Sequence, residues 1–216
     1  MDRYTPDPAH LVETETALRA LYAPVHDLAA RKSLAALDRH ARDFIARSPF
    51  VCLGTHGPEG HADVSPRGDP RGFVKVLDDR TLAIPDRPGN NRLDSLANIV
   101  ANPAVGLLFL VPGYDETLRV NGRARITTDP DLLASLQVQE RLPRLAILVE
   151  VQEVFLHCAK AFRRSRLWDP EARQDRREMP SLSKIILDQT TGAPEDADEM
   201  QAIDDALERD YDRSMY

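Results

Sequence analysis

The sequence has few cysteines and no long apolar run. Its 216 residues include two cysteines, Cys52 and Cys158, and no CxxC pair or Cys/His cluster. Each cysteine lies in or beside an apolar segment, so we expect two buried thiols rather than a disulfide framework or a metal site. No apolar stretch reaches the length of a membrane span, and the first residues lack the basic and apolar regions of a signal peptide. We therefore expect a cytoplasmic protein that does not insert into membranes.

Familiar catalytic motifs are also missing. The sequence contains no Ser-His-Asp, Cys-His or paired-carboxylate arrangement and no GxGxxG dinucleotide motif. His56, His61 and His157 are candidates for proton transfer near neutral pH, but a turn or core position explains each of them better. No residue set for conventional acid–base or nucleophilic catalysis therefore stands out.

Acidic charge is concentrated at one end of the chain. The net charge is −7, and residues 194–216 alone carry nine acids against two arginines, which also gives −7. The other residues balance, with 26 acidic and 26 basic side chains. Their basic residues are dispersed and no aromatic-rich basic motif accompanies them, so we expect no binding to nucleic acid.

Hydrophobic periodicity predicts helices at the N-terminus. Residues 8–48 have the pattern of two amphipathic helices with a break near Pro24, and we interpret them as a helical cap over a sheet. The predicted organisation is an N-terminal helical extension at 1–48, a β-barrel at 49–170 and a C-terminal segment with the acidic tail at 171–216.

Short strands separated by turn residues follow. The run from Val105 to Val111 is almost continuously apolar, which is typical of a strand buried on both faces. Leu118 to Ile126 alternates apolar residues with a polar, arginine-rich face, which is either solvated or lines a subunit interface or anion site. Ala146 to His157 has the length of a long strand. About six or seven strands, with a helix inserted at 90–102, predict an α+β chain built on a small antiparallel barrel.

Basic residues cluster around the inserted helix. Arg67, Lys75, Arg87 and Arg92 fall at strand ends or beside the predicted helix start at GNN (89–91). A helix N-terminus has unpaired N–H groups and a positive dipole end, so cations around it predict a site for an anion such as a phosphate. A surface turn would also explain the arginines, and plain helix capping would explain the two asparagines.

A second basic cluster surrounds the single tryptophan, Trp168. The segment Cys158 to Pro170 contains Lys160 and three arginines and ends in Trp-Asp-Pro. A tryptophan is more often a core residue than a ligand contact, but a strand followed by basic residues and a tryptophan would suit an aromatic, anionic ligand.

These segments, taken in order, resemble a known family. The chain is similar to the FMN-binding split β-barrel proteins of the pyridoxamine 5′-phosphate oxidase superfamily, and more narrowly to an uncharacterised branch with an N-terminal helical extension. The resemblance covers roughly residues 40 to 170 and implies a homodimer with FMN at the subunit interface. The matching segments are DVSPRGD (63–69), GFVKVLDD (72–79), the stretch 81–113, ETLRVNGRARI (116–126) and CAKAFRRSRLWDP (158–170).

The resemblance also implies which residues hold the cofactor. Arg67 and Lys75 would approach the FMN phosphate and ribityl chain from the strands, and Asn91 and Arg92 would complete the phosphate clamp. The full implied set is Arg67, Phe73, Val74, Lys75, Ile84, Pro85, Arg87, Asn90, Asn91, Arg92, Thr117, Arg164 and Trp168.

Further positions of that set would contact the flavin ring. Ile84 and Pro85 fall where the family's strand backbone meets the isoalloxazine. Thr117 falls at a polar flavin contact that can come from the other subunit, and the run from Arg164 to Trp168 resembles the segment that closes the flavin pocket.

The chain departs from true pyridoxamine phosphate oxidases at its end. These enzymes carry an RLxP-type segment that contacts the substrate, whereas this chain ends RDYDRSMY, and the matching Tyr, Arg and Ser constellation is missing beyond Gly122. The expected function is therefore an FMN-dependent oxidoreductase that acts on another substrate. The alternatives are a non-catalytic flavin-binding or flavin-sensing protein, and a barrel that binds haem or deazaflavin. The sequence leaves the substrate, the electron donor and the electron acceptor open.

Overall fold

The computed structural model describes residues 3–216, which fall into two compact units. The first unit extends to Ser33 and contains helices α1 (Glu15–Ala20) and α2 (Asp27–Arg31). All of its described residues are exposed, so this unit has no core of its own. The second unit, Leu34–Tyr216, contains the remaining elements. The domain boundaries expected at 48 and 170 stay predictions.

The second unit is built from a sheet and six α-helices. The helices are α3 (Arg39–Arg47), α4 (Asp94–Ala101), α5 (Pro130–Ser135), α6 (Lys160–Ser165), α7 (Leu182–Gln189) and α8 (Ala197–Ser214). The strands are β1 (Phe50–His56), β2 (Ala62–Gly68), β3 (Lys75–Val76), β4 (Thr81–Pro85), β5 (Ala104–Leu110), β6 (Thr117–Thr127) and β7 (Ala146–His157).

The seven strands form one sheet in the order β2-β1-β5-β6-β7-β4-β3. Every pair of neighbouring strands is antiparallel. Helix α4 lies between β4 and β5 in the chain, where the inserted helix is predicted. This arrangement confirms the predicted α+β fold with an antiparallel split barrel.

The core fills the inside of the curved sheet. Alternate residues of β1 and β5, such as Leu53 and Phe109, are fully buried there. Helix α3 packs Phe44 and Ile45 against the same cluster. Alternation on β5 shows that its other face is only half-buried, so the expectation of a strand buried on both faces is wrong. The apolar run on this strand therefore has one face that is buried in the core and a second face that is only half-buried.

Two further expectations need correction. Helix α4 begins at Asp94 rather than at GNN, because Asn91 (φ 56°) and Leu93 (φ 62°) adopt left-handed backbone conformations that break the helix. The cysteines are not two buried thiols, since Cys52 is half-buried on β1 and Cys158 is exposed after β7. Within residues 3–216, no helix is long and apolar enough to cross a bilayer.

The start of α3 gives a stability prediction. Asp38 caps this helix, and its Oδ1 accepts the N–H of Ala41 at 2.8 Å. Loss of an N-cap side chain costs about 0.5–2 kcal/mol, so we expect Asp38→Ala to lower the free energy of unfolding by that amount in urea denaturation. Asp38→Asn, which caps equally well, is the matched control. A loss as large in the asparagine variant would show that charge, and not capping, is the cause.

Candidate functional site

One large cavity lies in the second unit, beside β2. Its volume is about 830 Å³, within the range of small-ligand and cofactor sites. Its walls come from β2, from the segment that joins β4 to α4, and from the segment that precedes β7. The lining residues are Asp63 to Gly68, Phe73, Pro85 to Leu96, Arg141 to Leu145 and Tyr216.

Strand β2 directs Arg67 into this cavity. Side chains alternate along the strand, and Asp63, Ser65 and Arg67 share its half-buried face. Arg67 Nη1 forms an ion pair with Asp86 Oδ1 at 2.9 Å, with side chains that are 19% and 16% exposed. Arg67 Nε is buried and has no hydrogen-bond partner among the described residues. Because buried N–H groups are normally paired, this atom indicates a position for an acceptor oxygen.

A second arginine is held by a buried carboxylate. Arg87 Nε pairs with Asp69 Oδ2 at 2.6 Å, and the Asp69 side chain is only 1% exposed. Arg87 Nη2 also donates to the carbonyl of Leu136 at 2.9 Å. This arginine is thus fixed from two sides, with its guanidinium at the cavity wall.

The segment before α4 bends sharply into the helix. Asn90 Oδ1 accepts the backbone N–H of Arg92 at 3.1 Å, and Leu93 is the N-cap residue without any side-chain hydrogen bond to the helix. The N–H groups of the first turn of α4 therefore have no side-chain cap, and they lie along the cavity wall. Arg92 is exposed and pairs with Asp94 at 2.7 Å, an interaction that raises the pKa of the Arg92 guanidinium.

Polar side chains fasten α4 to the sheet beside the cavity. Ser95 Oγ donates to Asp63 Oδ2 at 2.7 Å, and Asn98 Nδ2 donates to Thr55 Oγ1 at 3.1 Å. Thr55 in turn donates to the same Asp63 oxygen at 3.4 Å. These bonds cross from β1 and β2 to the helix, so they fix the position of its N-terminal turn relative to Arg67.

The cavity carries a positive balance of charge. Five arginines and three aspartates line it, and Asp69, which pairs with the lining residue Arg87, reduces the excess to one positive charge. The arginines are Arg67, Arg87, Arg92, Arg141 and Arg144, and the aspartates are Asp63, Asp86 and Asp94. An excess of cations in a partly enclosed site favours anionic ligands.

The structure brings together about half of the residues that the sequence indicates. Seven of them line the cavity: Arg67, Phe73, Pro85, Arg87, Asn90, Asn91 and Arg92. Val74 and Ile84 are the chain neighbours of the lining residues Phe73 and Pro85, but their own side chains are buried in the core. Lys75 does not line the cavity, and its amino group donates to the carbonyl of Ser135.

The other three residues do not line this cavity. Thr117 is buried at the start of β6. Arg164, on α6, donates to the carbonyl of Lys160 at 3.2 Å, and Trp168 Nε1 donates to the carbonyl of Tyr114 at 2.7 Å. Their roles at a flavin stay predictions.

Among the lining residues that sequence reasoning missed, Arg141, Arg144 and Tyr216 carry polar groups from distant segments of the chain. Arg141 and Arg144 lie in the segment before β7, which packs beside β4 and thereby reaches the cavity. Tyr216 comes from the acidic tail and donates its hydroxyl to Asp69 Oδ1 at 2.8 Å. No local signal marks these residues, because only the pairing of distant segments places them here. The hydrogen bond to Asp69 is the main cause of a raised pKa of the Tyr216 hydroxyl.

The fold defines a split-barrel protein, and its cavity has more arginines than aspartates in its lining. The family model described as pyridoxamine 5′-phosphate oxidase matches residues 37–158, which is more than half of the 216-residue chain. The chain belongs to this family.

The solved structures that this chain is similar to are distant in sequence. HupZ from Group A Streptococcus is 19% identical, with 56% of this chain and 93% of that chain covered and a TM-score of 0.45. An FMN-binding protein from Syntrophomonas wolfei is 12% identical, with 55% and 84% covered and a TM-score of 0.45. A protein related to general stress protein 26, from Clostridium acetobutylicum, is 13% identical, with 55% and 85% covered and a TM-score of 0.42. A comparison with curated proteins found no match.

Proposed function

We propose that this protein binds FMN in the cavity beside β2 and acts as a flavin-dependent oxidoreductase. The observation that carries the proposal is Arg67, whose buried Nε has no partner in a cavity with excess positive charge. A phosphate oxygen is the acceptor that best matches such a guanidinium, since charge-assisted bonds to phosphate are strong and directional.

The phosphate would lie between β2 and the start of α4. Arg67 reaches this place from the strand, and Arg92 borders it from the loop. The uncapped N–H groups of the first turn of α4 add hydrogen-bond donors and the positive end of the helix dipole. The left-handed conformation of Leu93 supports this assignment, because a strained non-glycine residue persists mainly where it shapes a site.

The isoalloxazine ring would extend over the apolar part of the wall. Phe73 and Pro85 face the cavity there, and Ile84 packs behind them in the core. Once bound, FMN would supply the electron-transfer chemistry, and the protein would bind the flavin, orient it and exclude water. The described lining residues contain no histidine, which disfavours the haem alternative. Among residues 3–216, no group of three or more His, Cys, Asp or Glu side chains could hold a metal.

A homodimer would add residues from the second subunit. Family resemblance implies that Thr117, Arg164 and Trp168 contact a flavin, yet none of them lines the cavity of its own protomer. The outer face of β1 and β5 offers a surface for association, because half-buried Cys52 and Leu108 lie opposite each other on it. We expect a particle of twice 24.2 kDa in light scattering, and a monomer that binds FMN fully would contradict the shared site.

The phosphate assignment is tested by comparing two flavins. FMN and riboflavin differ only in the phosphate group, so their affinities measure what the arginines and the start of α4 contribute. Charge-assisted hydrogen bonds contribute about 1.5–3 kcal/mol each, so we expect FMN to bind at least about tenfold more tightly than riboflavin. Quenching of flavin fluorescence on titration measures both dissociation constants.

Lys75→Met serves as the control in this experiment. It removes a basic residue that the sequence indicates for the phosphate but that lies outside the cavity. We expect this variant to keep the wild-type preference for FMN. Equal affinities for FMN and riboflavin in the wild-type protein would contradict the phosphate assignment.

A further inference from the structure

The cavity has a second polar end at Arg87, Arg141 and Tyr216. The Asp69 side chain, which is 99% buried, lies behind its wall, and its Oδ2 accepts a hydrogen bond from Arg87 Nε. Its other oxygen, Oδ1, accepts a hydrogen bond from the hydroxyl of Tyr216 at 2.8 Å. A buried carboxylate oxygen requires a donor, so this end of the cavity is built to accept a hydroxyl or an N–H group.

Tyr216 contacts this end through three different groups. Its hydroxyl bonds Asp69, its ring centroid lies 5.9 Å from the guanidinium carbon of Arg87, and its main-chain oxygen accepts from Arg141 Nη1. The hydrogen bond to Asp69 raises the pKa of the phenol, and the hydroxyl is the donor in this pair. This end of the cavity thus contacts a hydroxyl, an aromatic ring and an oxygen acceptor of the same residue.

The helix that precedes Tyr216 adds no buried residue to the core. This helix is α8, and Met215, which follows it, is 58% exposed. Displacement of Tyr216 would therefore uncover little core surface. Arg144, beside Arg141 in the cavity wall, has no ion-pair partner among the described residues. It leaves a second cation available at this end for an anionic ligand.

We propose that Asp69, Arg87 and Arg141 form a second subsite, which takes a small hydroxyaromatic carboxylate, and that Tyr216 occupies this subsite until the ligand displaces it. The ligand's hydroxyl would donate to Asp69, its ring would lie against Arg87, and its carboxylate would pair with Arg141 and Arg144. The proposal rests on the proposed function, because such a ligand would share the cavity with FMN as its reaction partner.

The test uses two probes that differ in one group. 4-Hydroxyphenylacetate carries the ring, the hydroxyl and the carboxylate, and phenylacetate lacks the hydroxyl. Isothermal titration of the 216-residue chain measures both in the wild type, in Tyr216→Ala and in Ser214→Ala. Ser214 is the matched control, because its hydroxyl bonds only the Asp210 carbonyl within α8.

The expected result has three parts. Tyr216→Ala binds 4-hydroxyphenylacetate about tenfold more tightly than the wild type and Ser214→Ala do, because the hydroxyl and the ring of the internal occupant are gone and only its main-chain oxygen remains. In Tyr216→Ala, phenylacetate binds about tenfold more weakly than 4-hydroxyphenylacetate, because Asp69 loses its donor. Adding Arg141→Met to Tyr216→Ala weakens 4-hydroxyphenylacetate by about tenfold.

Other results would overturn the subsite. Equal affinities for the two probes, or no gain in Tyr216→Ala, would show that Tyr216 has only a structural role. Competition between FMN and the probe would assign this end of the cavity to the flavin ring. A protein that binds 4-hydroxyphenylacetate but not FMN would support the subsite and contradict the flavin proposal. A protein that binds FMN but neither probe would support the flavin proposal and contradict the subsite.

Discussion

Replacing Arg67 with methionine is expected to weaken FMN binding by about 10- to 150-fold. This range corresponds to the loss of a charge-assisted contact, about 1.5–3 kcal/mol. The variant also leaves the Asp86 carboxylate, only 16% exposed, without its partner. An unpaired negative charge at the cavity wall opposes the phosphate, so the upper part of the range is expected. Flavin fluorescence titration measures the effect.

Two companion variants separate these causes. Arg67→Met combined with Asp86→Asn removes the uncompensated carboxylate and should recover part of the lost affinity. Arg92→Met changes an arginine that is 72% exposed, and we expect a smaller loss because solvent screens its charge. Circular dichroism of each variant checks that the fold is kept. Wild-type FMN affinity in Arg67→Met would show that the phosphate lies elsewhere.

Gly122→Ala is expected to destabilise the barrel strongly. A β-bulge interrupts the pairing of β6 with β7 between Asn121 and Gly122, and a Cβ at Gly122 would lie 2.1 Å from the main-chain oxygen of Glu150. Backbone atoms of a paired strand cannot move aside cheaply, so the cost should reach about 3 kcal/mol or more. Urea denaturation monitored by circular dichroism measures the change in the free energy of unfolding.

Gly54→Ala is the matched control for this variant. Gly54 is also a strand glycine, but a Cβ there would lie 3.5 Å from the oxygen of Gly106, which is ordinary van der Waals contact. We expect a change within about 1 kcal/mol, since the strand has room for the methyl group. Similar losses in both variants would mean that strand glycines matter here for reasons other than the close approach at the bulge.

Much of the fold could be predicted from local sequence. The alternation from Leu118 to Ile126 predicts the buried and exposed faces of β6, because side chains of a strand point alternately to its two faces. The long run at 146–157 predicts the bounds of β7. The start of α4 could not be predicted in this way. Leu93 adopts a left-handed conformation that leucine rarely takes, and the helix starts at Asp94, three residues beyond Asn91.

The candidate site shows the same limit. Arg67, Arg87 and Arg92 could be found because they flank a turn and a helix within a short stretch of chain. Arg141 and Tyr216 reach the cavity only through long-range packing, and a regular pattern marks neither residue. A sequence with basic residues near a helix start therefore indicates an anion site, but not the residues that close it from distant segments.

The central claim is that this cavity holds FMN, and the visible spectrum of the purified protein tests it most directly. The proposal predicts flavin absorption bands, and release of FMN as the chromophore on denaturation. A protein purified without chromophore should gain the same bands when FMN is added and the excess is removed. A colourless protein that also fails to bind added FMN would contradict the claim.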